Sequence, residues 1–225
     1  LPGTEVLGVQ TTLLEPRSRR EGRMETEGTD PFPEVALYAD GYTHVVGVDE
    51  VGMGCLAGPV VAGAVMFRPN DWPVGIRDSK QLTEKRRESV AEAIRERALC
   101  WAVAHATVEE IDTLNILRAA QLAMRRAIEA LDLEPEMILV DGRHALPLPY
   151  PQRPLVKGDQ LSVSIGAASI LAKVHRDRWM CEFDGQYPGY GLAKHKGYGS
   201  PAHRRSLVEL GPSPIHRKSF RWKPV

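Results

Sequence analysis

From residue 44 onward the hydrophobic positions fall into short strand-like runs and longer helical stripes. Residues 44–49 and 59–67 are Val-rich and are joined by Gly52-Met53-Gly54-Cys55-Leu56-Ala57-Gly58, which reads as a hairpin with a wide loop. The stretch 82–98 reads as a helix, with Thr83 at its N-cap and charged residues on the exposed side. A third strand fits 100–107. Val108, Ile111, Leu114, Leu117, Met124, Ile128 and Leu131 then recur at near-helical spacing, predicting one long helix on the sheet. Thr107 and Glu110 have the spacing of a capping box at its start, and Pro135 closes it. A short strand over 136–141 delivers an acid at its end, an amphipathic helix covers 161–183, and a short helix falls at 202–210. Strands alternating with helices in this order predict an α/β sheet layered with helices.

Residues 1–40 mix Gly, Pro, Arg and Glu without either period, which predicts a disordered extension outside the chemistry and one domain over 41–225. The chain starts at Leu1, and Met24 is a candidate initiator, with residues 1–23 then a non-native start. At 225 residues, 43% hydrophobic and 26% charged, the chain suffices for one substantial core. Its longest weakly apolar stretch, 58–67, is about half the length of a membrane helix, and no signal-peptide pattern opens the sequence. A soluble, cytoplasmic protein with no membrane partner is expected, and nothing demands more than a monomer. Cys55, Cys100 and Cys181 are far apart and lack Cys-x-x-Cys spacing, so they read as packing residues. Net charge is zero, but from residue 153 onward thirteen Lys or Arg face five acids, and four of the seven histidines join them. That third is where a polyanion is expected.

Asp49 and Glu50 stand together at the end of one apolar strand, and Asp141 ends another. Carboxylates placed there need a positive neutraliser, and an all-oxygen set suits hard divalent cations. Neighbouring strand residues point to opposite faces, so Asp49 and Glu50 converge only if the strand breaks into its loop there, which Gly52 and Gly54 allow. Ser169, Lys173 and Asp177, four apart, run down one helix face and add a fourth carboxylate with a cation beside it. Four carboxylates could hold two ions of the kind that clamp phosphoryl transfer. Each piece alone has a plainer reading: a strand-end cap, an Asp-Gly turn, a surface ion pair.

Taken together and in order, the blocks resemble a known family. They are Gly47-Val48-Asp49-Glu50-Val51-Gly52, Asp78-Ser79-Lys80, Asn115-Ile116-Leu117, Val140-Asp141-Gly142, Lys157-Gly158-Asp159, Ser169-Ile170-Leu171-Ala172-Lys173-Val174, Arg176-Asp177-Arg178, His195-Lys196-Gly197-Tyr198-Gly199 and Gly211-Pro212-Ser213-Pro214-Ile215-His216. From about residue 41 to the end the chain resembles bacterial ribonuclease HII. The resemblance implies an α/β ribonuclease-H-like fold, a mixed central sheet flanked by helices with a helical, loop-rich basic C-terminal region. It assigns Asp49, Glu50, Asp141 and Asp177 as catalytic metal ligands for manganese or magnesium, two ions in the active complex. It makes Gly52, Met53, Gly54, Ser79, Lys80, Asn115, Ser164, Lys173 and Tyr198 substrate contacts, with Tyr198 under a sugar at the ribonucleotide junction.

The implied partners are RNA-DNA hybrids and duplex DNA carrying ribonucleotides. The implied reaction is endonucleolytic hydrolysis on the 5′ side of a ribonucleotide by a metal-activated water, leaving a 3′-hydroxyl and a 5′-phosphate. Specificity rests on the 2′-hydroxyl, read in this family largely by the main chain of a Gly-Arg-Gly segment. Here Met53 stands in place of that arginine. The expected consequence is a weakened enzyme; the alternative is a non-catalytic binder of RNA-DNA junctions. The related ribonuclease HIII would bring a sizeable N-terminal substrate-binding domain, for which about forty irregular residues are too few.

Overall fold

Strand β3 (Val60–Met66) is buried along its whole length because both faces of the sheet are covered. Val60, Ala62, Ala64 and Met66 pack under helix α4 (Ile116–Glu129), while Val61 and Val65 pack under α2 (Glu84–Arg97) and α6 (Val163–Gln186). The computed structural model describes residues 7–11, 32–76 and 82–224. Its six-stranded sheet has the order β1-β4-β3-β2-β5-β6. β1 (Leu7–Thr11), β4 (Cys100–Ala106), β3 and β2 (Val45–Val51) pair antiparallel, and β5 (Met137–Asp141) and β6 (Gln152–Leu155) continue parallel to β2. No helix among the described residues is long and apolar enough to cross a membrane.

Two glycines let α6 lie directly on the sheet. A Cβ on Gly47 of β2 would stand 2.2 Å from the main chain of Ser164 and Ile165, and one on Gly63 of β3 would stand 2.4 Å from the Ala168 carbonyl. Any side chain at either position would push away the helix that carries Ser169, Lys173 and Asp177.

The expected caps are present. Thr83 Oγ1 accepts from the Arg86 N–H at 3.3 Å, and Thr107 and Glu110 cap each other reciprocally at 3.2 and 2.9 Å. The single helix expected over 108–131 is instead two, α3 (Val108–Leu114) and α4, broken at Asn115 with φ +73°. Apolar spacing carries on across the break and conceals it; the Asn115 side chain caps α4 by accepting from the Arg118 N–H at 3.1 Å.

The stretch expected to be an irregular extension also differs among its described residues. Backbone 7–11 forms the edge strand β1, and Pro33–Ala39 forms helix α1. Glu34 of α1 is fully buried, where Oε1 accepts from the Ser164 N–H at 2.9 Å and from the Ser162 hydroxyl at the start of α6. A carboxylate at a helix N-terminus satisfies orphan donors and opposes the helix dipole. Short α1 shows no sequence period because one acid and one leucine, Leu37, supply its burial.

Candidate active site

The parallel register of β2 and β5 builds the centre of the site. Val48 pairs with Val140, so the next residues, Asp49 and Asp141, emerge side by side where that pairing ends. This is the carboxyl end of parallel strands, the usual position for a site in an α/β sheet. By alternation both face α6, as Gly47 and Leu139 do, and the Ser169 hydroxyl of α6 hydrogen-bonds Asp49. Asp141 Oδ1 accepts from the Gly158 N–H at 2.6 Å, and Asp49 Oδ1 from the Glu50 N–H at 2.7 Å.

Glu50 joins them without the strand break that alternation called for. β2 runs on to Val51, with Glu50 still paired to Ala62 of β3. What ends is β2's other edge: past Val48–Val140 no β5 residue flanks Glu50. Asp49, Glu50, Asp141 and Asp159 thus line one cleft together with Gly52, Met53, Gly54, Arg87, Ser169, Lys173 and Tyr198. Burial pushes the Asp49 carboxyl up to about 7, helped by the Asp141 charge and opposed by the Ser169 hydrogen bond. Burial, then the charges of Asp49 and Asp141, pushes Glu50 up to about 8. These acids resist carrying their charges together unless a cation joins them.

Asp177 is held at the margin. Lys173 Nζ donates to its Oδ1 at 2.7 Å, and Arg87 Nη1 lies 3.9 Å from its Oδ2. It lines an adjoining groove with Glu84 and Cys181, while Lys173 and Arg87 reach the main cleft. Among the described residues no three His, Cys, Asp or Glu side chains form a ready-made metal cage. The donor chemistry nevertheless fits a hard divalent cation: oxygen donors only, crowded and short of positive charge.

The remaining expected contacts divide. Gly52, Met53, Gly54, Lys173 and Tyr198 line the cleft, and Tyr198 is 45% exposed, so its ring is available to a ligand. Ser164 is fully buried beneath Gly47 and has no surface from which to reach a phosphate. Asn115 serves as the α4 cap and is absent from the cleft wall. Ser79 and Lys80 lie outside the described residues. Arg87, Asp159 and Ser169 were missing from the expected set. Asp159 and Ser169 do stand in the quoted blocks, and the i, i+4 spacing puts Ser169 on the Lys173 face, whereas no motif or spacing marks Arg87.

A mixed sheet with a helix against each face, and acids at the end of its adjacent central strands, is the architecture of the ribonuclease-H-like proteins. The Ribonuclease HII family profile matches residues 46–223. Ribonuclease HII of Myxococcus xanthus is 52% identical over 205 residues, 91% of this chain and 67% of that one. Ribonuclease HII of Caulobacter vibrioides is 53% identical over 196 residues, 87% of this chain and 92% of its own. Among solved structures, ribonuclease H2 from Pyrococcus horikoshii superposes with TM-score 0.67 at 27% identity, over 78% of this chain and 93% of that one. The RNase HII of a PCNA complex from Archaeoglobus fulgidus gives 0.69 at 27%, over 81% and 97%. The chain belongs to the ribonuclease HII family of endoribonucleases.

Proposed function

We propose that this cleft binds RNA-DNA hybrids and duplex DNA containing a ribonucleotide, and hydrolyses the phosphodiester on the 5′ side of the ribonucleotide. Water adds to phosphorus and the 3′-oxygen of the preceding nucleotide leaves, giving a 3′-hydroxyl and a 5′-phosphate. The observation that carries the reading is the convergence of Asp49, Glu50 and Asp141 with the Gly52–Gly54 main chain and Tyr198 in one cleft.

Asp49, Glu50, Asp141 and Asp177 are the residues that would hold divalent cations, manganese or magnesium. A pair of such ions would supply a water of lowered pKa and positive charge for the leaving oxygen. The chain's own part is orientation. Ser169 and the Glu50 N–H fix Asp49, and the Gly158 N–H fixes Asp141. Lys173 presents its ammonium to both Asp177 and the cleft, where a phosphate would enter. The exposed Tyr198 ring offers a face to the sugar of the junction. At Gly54 a Cβ would meet nothing within 4 Å and φ is not left-handed, so internal packing does not require glycine there. A missing side chain at that point leaves the cleft floor open to close approach by a ligand.

Met53 supports a weakened grip. Its side chain packs against the apolar cluster under α4 and brings no charge to the cleft. Absence of a charge-assisted phosphate contact costs about 1.5–3 kcal/mol. The same reading takes the chain as a monomer acting in the cytoplasm.

The test is cleavage of a labelled duplex carrying one ribonucleotide, with manganese and separately magnesium, beside an all-DNA duplex and Asp49→Asn. Cleavage 5′ of the ribonucleotide, lost in Asp49→Asn and absent on all-DNA, is the expected result. Binding without cleavage under either metal would overturn hydrolysis and leave a silent junction binder.

A further inference from the structure

The loop that lines the cleft is held from behind by a residue at the far end of the chain. Arg217 is 3% exposed, and its guanidinium donates to four carbonyls of one loop. Nη2 reaches Gly52 O at 2.7 Å and Pro59 O at 3.3 Å, Nη1 reaches Met53 O at 2.9 Å, and Nε reaches Gly58 O at 3.0 Å. Arg176, fully buried, adds Pro59 O at 3.1 Å, Ala57 O at 3.1 Å and Lys196 O at 2.8 Å. A Cβ on Gly52, at φ +98°, would stand 2.3 Å from Arg176 Nε, so the loop and its arginines are fitted to each other.

In a trans peptide the carbonyl and the following N–H point in opposite directions. With Gly52 O and Met53 O turned to Arg217, the N–H groups of Met53 and Gly54 face away from it. A charged donor on each carbonyl also polarises the peptide and strengthens its N–H as a donor.

The neighbouring residue holds the other half of the surface. The Ser213 N–H donates to His216 Nδ1 at 3.0 Å, so the His216 proton sits on Nε2 and points at His203 Nε2, 3.0 Å away. His203 therefore carries its proton on Nδ1, which donates to the Tyr198 carbonyl at 2.9 Å. Cys55 and Ala57 of the loop form β-bridges with Tyr198 and His216. Outside, Asp112 of α3 fixes the tail by accepting from the N–H groups of Lys218 and Ser219 at 3.0 and 2.9 Å.

We propose that Arg217 is a positioning residue for ribonucleotide recognition, aiming the Met53 and Gly54 N–H groups into the cleft while adjacent His216 holds Tyr198 through His203. This rests on the reading above that the cleft takes a ribonucleotide. Burying a guanidinium costs desolvation, and what it gains here is a fixed arrangement of the cleft loop, whose carbonyls an apolar side chain would leave without this donor. Met53 sharpens the point, because the loop brings main-chain groups and no charged side chain of its own to that part of the cleft.

The experiment compares the full chain with Arg217→Gln and with Asp112→Ala, which loosens the tail from its outer side. Two readouts are taken: amide hydrogen exchange of segments 52–59 and 197–199, and affinity for a duplex with one ribonucleotide against the same duplex in all-DNA form. Arg217→Gln is expected to speed exchange in both segments by at least about tenfold while β5 stays protected. Its preference for the ribonucleotide duplex should fall about tenfold, with all-DNA affinity changed less than about twofold. Asp112→Ala should shift both in the same direction by a smaller factor, and carries the test if Arg217→Gln does not fold. Unchanged exchange, or equal loss of affinity for both duplexes, overturns the proposal. If the unsubstituted chain shows no ribonucleotide preference, the functional reading fails, and the exchange data still decide whether Arg217 orders the loop.

Discussion

Lys173 and Asp177 sit one turn apart on α6 with Nζ 2.7 Å from Oδ1, so the fourth acid of the set is joined to the cleft through a cation that lines it. Lys173 precedes its acid by four residues, the weaker orientation for a helical pair, which suggests that local helix stability is not what the contact serves. Lys173→Met should lower stability by only about 1 kcal/mol, because Arg87 still faces Asp177. It should lower kcat/KM by about a hundredfold. The slope of log affinity against log salt should fall by about one, which salt-titrated binding would show.

The acids of the cleft make the metal-free protein sensitive to alkali. Asp49 and Glu50 bind protons more tightly folded than unfolded, to about 7 and about 8. Folding is therefore unpenalised below the unfolded carboxyl range, near pH 4, and loses stability as pH rises through 7 to 8. In EDTA, Asp49→Asn should melt above the unsubstituted chain at pH 8 by roughly 5 °C, on the order of 2 kcal/mol. The gap should close at about pH 4. A constant gap across that range would show that neither burial nor mutual repulsion holds protons on these acids.

Glu34 joins the N-terminal helix to the catalytic one. Glu34→Ala leaves the Ser162 hydroxyl and the Ser164 N–H without this buried acceptor. The expected loss is about 2–4 kcal/mol, a fall in Tm of roughly 5 to 15 °C by calorimetry. A chain beginning at Gly41 should show at least that deficit, since it lacks β1 as well as α1, whereas equal melting would mean that both are dispensable.

Met53→Arg asks what the absent guanidinium is worth. The new side chain should raise affinity for a ribonucleotide duplex by about ten- to a hundredfold, measured at fixed salt. It gives up packing against the cluster under α4, so a small loss of stability should accompany the gain. Unchanged affinity would assign recognition to the main chain alone.

How far the sequence reached follows from the range of the forces involved. Short apolar runs placed β2 to β5, and capping chemistry placed Thr83 and Thr107, because strand preference and cap hydrogen bonds are set within a few residues. The motif blocks picked out Asp49, Glu50, Asp141 and Asp177 and marked Gly52-Met53-Gly54 as a departure. Pairing decided the rest. Asp49 meets Asp141 through the Val48–Val140 register, and Glu50 joins them because β5 ends, a strand boundary that β2's own sequence cannot state. The resemblance makes Ser164 and Asn115 substrate contacts, yet one is sealed beneath Gly47 and the other caps a helix, since burial and backbone angle depend on what packs nearby. Arg217 shows the limit most plainly: its partners lie 158 to 165 residues away, and only the closed fold brings a cationic tail residue behind the loop that it holds.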